Sequence, residues 1–341
     1  MKNITLSSFY NFTSGYSEIL KVLSEELCHY EYEVIPRTYS SVASDYLKYF
    51  DKRLIIKSSC LDFSLISLID NISDTNPLIH IRFDRPRILY TMWESTRIND
   101  LLIEILNKFN CIIVPNHYNK TNLINQGCTA RIEVVPLFCN TDHYVYKSHY
   151  ERDEFVFGIS NEDYRKRLIK IQNCFIKAFP KNQKIKLTVK TTNSIQQTKY
   201  INNNITYINK KYTIDELRNW YYDLDVYVSG VTCEGWGMMQ QESMCCGRPI
   251  IFTNYGGLKE FANEKNSFEV KYEEVFAEGC WGNSGGKWSE FDEDDMIEKM
   301  LYCYNHRDEV VEKGGLASKD ASQFTKQRFL KKIDEIISEY L

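Results

Sequence analysis

The sequence predicts an α/β protein made of two Rossmann-like, doubly wound domains that face a central cleft. Its 341 residues suit two domains that each bury a core. Short β-branched runs alternate with helical patterns, which is typical of βαβ units and a parallel sheet. The alternation lapses between Val135 and about Arg152 and then restarts, which marks a domain boundary. Because such sheets bind ligands beyond the carboxyl ends of their strands, we expect a site in the cleft.

Each half supplies its own set of elements. In the first half the predicted strands are 4–7, 32–35, 54–57, 78–81, 88–91, 111–114 and 132–135, and the helices are 17–27, 100–108 and 118–126. In the second half the strands are 155–159, 186–190, 205–208, 226–229 and 250–253, and the helices are 166–179, 214–222, 238–246 and 258–263. Residues 294–341 read as almost entirely helical. The predicted domains are 1–150 and 151–320, and a C-terminal helix in 321–341 is expected to pack back on the first domain.

Composition excludes several classes of protein. A net charge of −4 with interspersed acids and bases provides no broad basic face for nucleic acid. No segment has the apolar run of a signal peptide or the roughly 18 uncharged residues of a membrane span. We therefore expect a cytoplasmic protein with reduced cysteines.

The most informative segment runs from Val226 to Met244 and reads as strand, glycine-bearing loop and helix. Gly235 and Gly237 let the backbone approach a ligand, and the amides of Gly237, Met238 and Met239 form an anion site at the helix start. Glu242 lies one turn into the helix and Glu234 stands at the loop entrance. One carboxylate suits a ribose diol, and the other suits the sugar end of a nucleotide sugar.

The motifs around these two glutamates follow a fixed order. Seven residues separate Glu234 from Glu242, and the segments C-G-R-P-I-I at 246–251 and G-G-x-x-E at 256–260 follow. This order resembles the donor-site motif E-G-F-G-x-x-x-x-E-A-M-A-C-G-x-P-V-I of the family-4 retaining GT-B glycosyltransferases (glycosyl transferases group 1), with Trp236 for Phe and Ser243 for Ala. Segments 90–94, 134–137 and 288–290 are similar to one branch of that family. The resemblance implies GT-B architecture, a nucleoside diphosphate sugar as donor, a glycan or other hydroxyl acceptor, and retention at the anomeric carbon.

The resemblance also implies cations for the diphosphate. Arg165 and Lys166 lie where the family keeps its phosphate-binding Arg and Lys, and Lys190 is a third candidate. Ser160 replaces the Arg that usually follows the strand. The alternative for Arg165 and Lys166 is a solvated first turn of a helix.

The first domain and one late loop supply further candidates. Gly15 stands in the S-G-Y segment that matches the family's glycine loop, and Glu94 occupies the place of a histidine found near the transferred sugar in many relatives. Glu94 is either its substitute or a structural residue. Trp281 and Trp288, in the loop 278–288, are either sugar-stacking faces or packed side chains.

No catalytic metal is expected. The Asp-x-Asp at Asp223 and Asp225 precedes its strand, where capping and solvation explain it better than metal binding. The acids at 292–295 suit a helix N-terminus, and the six histidines lack zinc-ligand spacing.

Together, the residues and the family resemblance imply a retaining glycosyltransferase that needs no cofactor. The residues assigned to catalysis are Glu234, Arg165, Lys166 and Glu94. Those assigned to donor binding are Gly15, Lys190, Gly235, Trp236, Gly237, Met238, Met239 and Glu242. The alternatives are a nucleotide-sugar epimerase and a binding homologue that has lost turnover. The donor's base and sugar, the acceptor and the oligomeric state are left open.

Overall fold

The computed structural model describes residues 2–8, 15–27, 32–38, 61–65, 86–149, 152–160, 163–180, 184–191, 204–279 and 282–341. The chain divides into two compact units. The first contains Met1–Leu137, Phe276–Lys287 and Lys326–Leu341, and the second contains Phe138–Val275 and Trp288–Thr325. The division into 1–150, 151–320 and 321–341 made from the sequence is linear, whereas this grouping assigns two later segments to the first unit.

The elements are numbered in chain order. The strands are β1 Lys2–Ser8, β2 Tyr32–Thr38, β3 Leu61–Leu65, β4 Arg87–Tyr90, β5 Cys111–Val114, β6 Ile132–Val134, β7 Phe155–Ser160, β8 Ile185–Thr191, β9 Ile205–Asn209, β10 Val226–Val228, β11 Ile250–Thr253, β12 Phe268–Val270, β13 Tyr272–Phe276 and β14 Lys287–Phe291. The α-helices are α1 Gly15–Glu26, α2 Asp100–Leu106, α3 His117–Asn125, α4 Leu168–Ala178, α5 Ile214–Tyr222, α6 Met238–Cys245, α7 Glu293–Asn305, α8 Arg307–Ala321 and α9 Lys326–Ser338.

The first unit contains a six-stranded parallel sheet in the order β2-β1-β3-β4-β5-β6. Every residue of β4 and β5 is buried, as expected for parallel strands that are covered on both faces. The predicted strands 54–57 and 78–81 lie outside the described residues. Strand β3 was not predicted, because its sequence L-D-F-S-L lacks β-branched residues.

The second unit contains a six-stranded parallel sheet in the order β12-β11-β10-β7-β8-β9. Its core joins these strands to α4 and α7 through buried aliphatic and aromatic side chains such as Phe157, Phe175 and Met296. Two helix predictions were wrong here. The helix predicted over 166–179 is broken at Arg167, so that a 3-10 turn at Tyr164–Lys166 precedes α4. The helix predicted over 258–263 is a 3-10 helix at Gly256–Glu260.

The helical tail is confirmed, because α7, α8 and α9 occupy most of the chain after Asp292. Asp292 caps α7, and its side chain accepts a hydrogen bond from the backbone N of Asp295 at 2.8 Å. Helix α9 belongs to the first unit, where the Phe329 ring lies 6.0 Å from the Tyr90 ring and the Tyr340 hydroxyl donates to the Asn110 carbonyl. The cysteines that the structure describes are free and buried. Over the described ranges, no helix combines the length and the apolar character that a membrane crossing requires.

Candidate functional site

The loop of residues 229–237 joins β10 to α6 and is called the β10–α6 loop. Gly237, which precedes α6, has a φ of +97°, and a Cβ there would fall 2.4 Å from a Leu258 methyl carbon. Glycine alone meets both conditions without strain. The N-cap residue Gly237 has no side chain with which to cap the amides at the start of α6. These amides therefore present the positive end of the helix, as an anion site requires.

The glycine pair Gly256-Gly257 supports this loop. The backbone N of Gly257 donates to the carbonyl of Glu234 at 2.8 Å. A Cβ on Gly257 would lie 2.6 Å from the carbonyl oxygen of Gly235 and 2.7 Å from the Cα of Trp236. The two backbones are thus in direct contact, which only glycine permits at this position.

An ion pair joins two residues that the sequence analysis assigned to catalysis. The Nζ of Lys166 contacts the Oε1 of Glu234, and the two side chains are 17% and 13% exposed. The 3-10 turn that precedes α4 thus brings a cation to the entrance of the β10–α6 loop. The structure places a positive and a negative group together at the loop that leads into α6.

Arg165 is buried rather than solvated, so the alternative of a solvated helix turn is wrong for it. Its Nε donates to the Oδ2 of Asp163 at 2.8 Å, and its Nη1 donates to the carbonyl of Cys233 at 3.3 Å. The Arg165 carbonyl accepts from the backbone N of Thr232. Arg165 therefore connects the turn that bears Lys166 to the β10–α6 loop.

Arg167 holds a left-handed conformation, with φ 53° and ψ 36°, which breaks the helix predicted over this segment. This conformation costs a non-glycine residue on the order of 1–3 kcal/mol. Two contacts compensate: the guanidinium pairs with Glu290 at 2.8 Å and lies over the Trp288 ring at 5.6 Å. Trp288 is fully buried, so its proposed role as a sugar-stacking face is wrong. Trp281 lies outside the described residues.

Glu242 receives a hydrogen bond that the sequence analysis missed. The hydroxyl of Tyr221, on the last turn of α5, donates to the Oε2 of Glu242 at 2.8 Å. Burial, together with the charge of Glu242, holds the pKa of Tyr221 well above its usual value. The hydroxyl therefore stays protonated and remains a donor. The pattern W-Y-Y at the end of α5 was the available signal, but it does not show which aromatic residue faces Glu242.

Trp236 does not have the side-chain placement expected of a ligand contact. Its indole is 2% exposed, its Nε1 donates to the Oε1 of Gln241 at 2.7 Å, and its ring lies 5.3 Å from Phe261 and 5.2 Å from Phe324. The side chain belongs to the core of the second unit. Only the backbone of Trp236 can meet a ligand at the β10–α6 loop.

The candidate Lys190 and the replacement residue Ser160 lie at the carboxyl ends of neighbouring strands. Ser160 ends β7 and pairs in register with Lys190 on β8. Both side chains are buried, and the backbone N of Ser160 donates to the Tyr227 hydroxyl at 3.4 Å. Lys190 thus lies at the edge where an α/β sheet binds ligands.

The first-domain candidates lie in the first unit. Glu94 is half-buried in the segment after β4. Its neighbour Trp93 is a core residue, and the indole Nε1 of Trp93 donates to the Arg97 carbonyl at 2.8 Å. Gly15 is the first residue of α1, and the 9–14 segment before it lies outside the described residues.

The Asp-x-Asp segment has a structural role. Asp223 is the C-cap of α5. The Oδ2 of Asp225 accepts from the backbone N of Val156 at 2.7 Å and from the Nη2 of Arg152 at 2.8 Å. Across the part of the chain that the structure describes, no group of three or more His, Cys, Asp or Glu side chains has a geometry suited to a metal ion.

A known protein family matches the segment of the chain that contains the Lys166–Glu234 ion pair and α6. Residues 165–280 match the family described as glycosyl transferases group 1. The matched segment, most of which lies in the second unit, is similar to this family. The match begins at Arg165 and includes Lys166, Glu234 and Glu242, so it spans the ion pair and α6. No curated protein sequence gives a significant match to the chain.

Solved structures show the same fold over the whole chain. Similar structures include HepE of Anabaena in complex with UDP and glucose (12% identity, 99% of this chain and 100% of that chain, TM-score 0.69). Another is sucrose-phosphate synthase from Thermosynechococcus elongatus (13% identity, 99% of each chain, TM-score 0.73). A third is the lipopolysaccharide outer core galactosyltransferase WaaB (12% identity, 100% of each chain, TM-score 0.69). The prediction of the GT-B fold is thereby confirmed, and the prediction of a glycosyltransferase agrees with the family match over residues 165–280.

Proposed function

We propose that the protein transfers a sugar from a nucleoside diphosphate sugar to a glycan or other hydroxyl acceptor, with retention at the anomeric carbon. The observation that carries this proposal is the meeting of Lys166 and Glu234 beside the start of α6. A diphosphate needs cations and amide donors, and a sugar needs a carboxylate acceptor, and this location supplies all three kinds of group.

The diphosphate is assigned to the α6 amides and to Lys166. As the donor's anomeric bond breaks, negative charge develops on the departing diphosphate, and oriented donors that meet this charge lower the barrier. Arg165 adds positive potential from its buried position and holds the turn that carries Lys166. Lys190, at the end of β8, is the third cation of the proposed site.

The two glutamates are assigned to different parts of the donor. Glu242, one turn into α6, accepts the ribose hydroxyls, and Glu234 contacts the transferred sugar. On donor binding, Lys166 exchanges its contact with the Glu234 carboxylate for one with a phosphate oxygen. The exchange leaves Glu234 available to the sugar hydroxyls at the moment of transfer.

A panel of nucleotide sugars tests the function. The HepE structure contains UDP and glucose, so UDP sugars come first, followed by GDP and ADP sugars. Release of nucleoside diphosphate reports donor cleavage, and NMR of the product's anomeric proton reports retention. An epimerised donor would indicate the epimerase, and binding without release of diphosphate would indicate a non-catalytic homologue.

A matched pair of variants locates the diphosphate site. Lys166→Ala is expected to lower turnover by about 10²-fold to 10³-fold, as loss of an oriented transition-state donor commonly does. Lys177→Ala removes an exposed cation of α4 that pairs with Glu293 and should leave turnover unchanged. Equal turnover in the two variants would place the diphosphate elsewhere.

We also propose that the enzyme needs no divalent metal, because cations and helix amides suffice for the diphosphate. Turnover is measured after treatment with EDTA and again after addition of Mg²⁺ or Mn²⁺. Activity that is lost on chelation and restored by either ion would refute this part of the proposal.

A further inference from the structure

We propose that Tyr221 is a positioning residue that orients the Glu242 carboxylate toward the ribose and thereby sets the preference for ribonucleotides over deoxyribonucleotides. The inference deepens the proposed function and rests on it. Nothing in the donor-site motif requires a tyrosine at this position, which precedes Glu242 by 21 residues.

The hydroxyl of Tyr221 is held rigidly. Its ring is fully buried and lies 5.3 Å from Trp220, 5.9 Å from Tyr144 and 6.4 Å from Tyr227. Helix α5, which carries it, begins with a reciprocal capping box between Thr213 and Glu216. Because the ring is packed on several sides and the helix start is capped, the hydroxyl is held in one position. The Glu242 side chain therefore adopts the orientation that accepts its hydrogen bond.

The hydrogen bond fixes Glu242 without using up its acceptor capacity. A carboxylate has about four lone-pair positions on its two oxygens. Tyr221 occupies one position on Oε2, so its hydrogen bond does not by itself prevent a vicinal diol from binding to the same carboxylate. The 2.8 Å separation is that of an ordinary O–H···O hydrogen bond, and the negative charge of the acceptor strengthens it.

Orientation matters because a free glutamate side chain loses rotational freedom when it binds a diol. Immobilising a rotamer-rich side chain at a binding interface costs free energy and so weakens binding. Tyr221 restricts Glu242 before the ligand arrives. The benefit is specific to the hydroxyls that Glu242 binds, and a nucleotide without the 2′-hydroxyl gains less from it.

The test compares Tyr221→Phe with Tyr222→Phe. Tyr222 is the next residue of α5, and its hydroxyl donates to the Val145 carbonyl rather than to a carboxylate. Calorimetry gives the Kd of UDP and of 2′-deoxy-UDP for each variant, or of the GDP pair if the panel selects guanine. The readout is the Kd of the 2′-deoxynucleotide divided by the Kd of the ribonucleotide, which measures the preference for ribose. Any inactive fraction of protein cancels from this ratio.

Tyr221→Phe is expected to lower this ratio about threefold to tenfold, because ordering the Glu242 side chain then lowers the affinity for the ribonucleotide, while Tyr222→Phe keeps the ratio. Tyr221→Met, which also lacks the hydroxyl but fills the space with a flexible side chain, must show the same loss and serves if the Phe variant does not fold. In a Glu242→Gln background, Tyr221→Phe should change the ratio little further.

The outcomes separate the two proposals. No binding of any nucleoside diphosphate to the wild type would refute the proposed function itself. A ratio that collapses in Glu242→Gln but stays at its wild-type value in both Tyr221 variants would keep the donor site and overturn the role of Tyr221.

Discussion

Replacing Glu234 with Gln is expected to separate nucleotide binding from sugar transfer. The carboxylate of Glu234 contacts the ammonium of Lys166, and a diphosphate must displace this carboxylate to use the same cation. The substitution removes the competing charge and keeps the shape of the side chain. Nucleoside diphosphate affinity should therefore rise while transfer falls.

The expected increase in nucleoside diphosphate affinity can be worked out from the burial of the Lys166–Glu234 ion pair. Two unit charges at 4 Å interact by about 4 kcal/mol at an effective dielectric constant of 20. Desolvation and side-chain ordering offset most of this energy, so that the net worth of such a pair is about 1 kcal/mol. In Glu234→Gln the diphosphate no longer has to break this ion pair, so its affinity should increase by about fivefold. Turnover should fall by about 10²-fold or more, because we propose that Glu234 contacts the sugar as charge develops.

Calorimetry with UDP or GDP measures the affinity, and diphosphate release from the cognate donor measures turnover. The control is Glu290→Gln, which removes a carboxylate that is paired with Arg167 and Lys170 in the same unit. It should not raise the affinity. A fall in nucleotide affinity for Glu234→Gln, equal to that of Glu242→Ala, would refute the division of labour between the two glutamates.

Three further predictions concern stability and the support of the loop. Gly257→Ala places a Cβ 2.6 Å from the Gly235 carbonyl oxygen, so it should lower the free energy of unfolding by about 1–3 kcal/mol and weaken nucleotide binding. The control is Gly315→Ala, where no atom lies within 4 Å of the added Cβ. Equal melting temperatures for the two variants would contradict the prediction. Burial lowers the pKa of His149 from 6.5 to about 4, so the unfolded chain binds a proton at a higher pH than the folded protein does. The free energy of unfolding should therefore fall by roughly 2–3 kcal/mol as the pH drops from 6.5 toward 4. Thermal unfolding measured against pH checks this, and His149→Gln should make the melting temperature depend less on pH. Deletion of 326–341 removes α9 from the first unit and should lower the melting temperature by at least about 10 °C, whereas an unchanged value would show that this helix is dispensable.

Regular elements with strong local signals were predictable from the sequence. Strands β5 and β11 and helix α5 have the predicted bounds residue for residue. In β5 and β11 the signal is a short apolar, β-branched run. In α5 it is the T-x-x-E capping box, which defines the helix start by side-chain hydrogen bonds within four residues.

Contacts between distant segments could not be predicted in this way. Lys166 and Glu234 were both named as site residues, but no local pattern shows that they pair across 68 residues of sequence. Arg167 takes a left-handed backbone that its own side chain disfavours, because contacts with Glu290 and Trp288 outweigh local propensity. Trp236 fits the motif as a ligand-loop aromatic, yet its ring packs into the core.

The packing of Trp236 gives the β10–α6 loop a dependence on a remote part of the chain. The indole lies against Phe324, and Gln241, on α6, donates to the carbonyl of Ala321 at 3.3 Å. The rear of the loop is thus formed by the end of α8 and the residues after it, just before the chain passes to α9. A protein engineer who grafts the donor motif onto another scaffold would need to transplant residues 321–324 with it. For the same reason, amide hydrogen exchange at Phe324 should slow when a nucleotide tightens the loop.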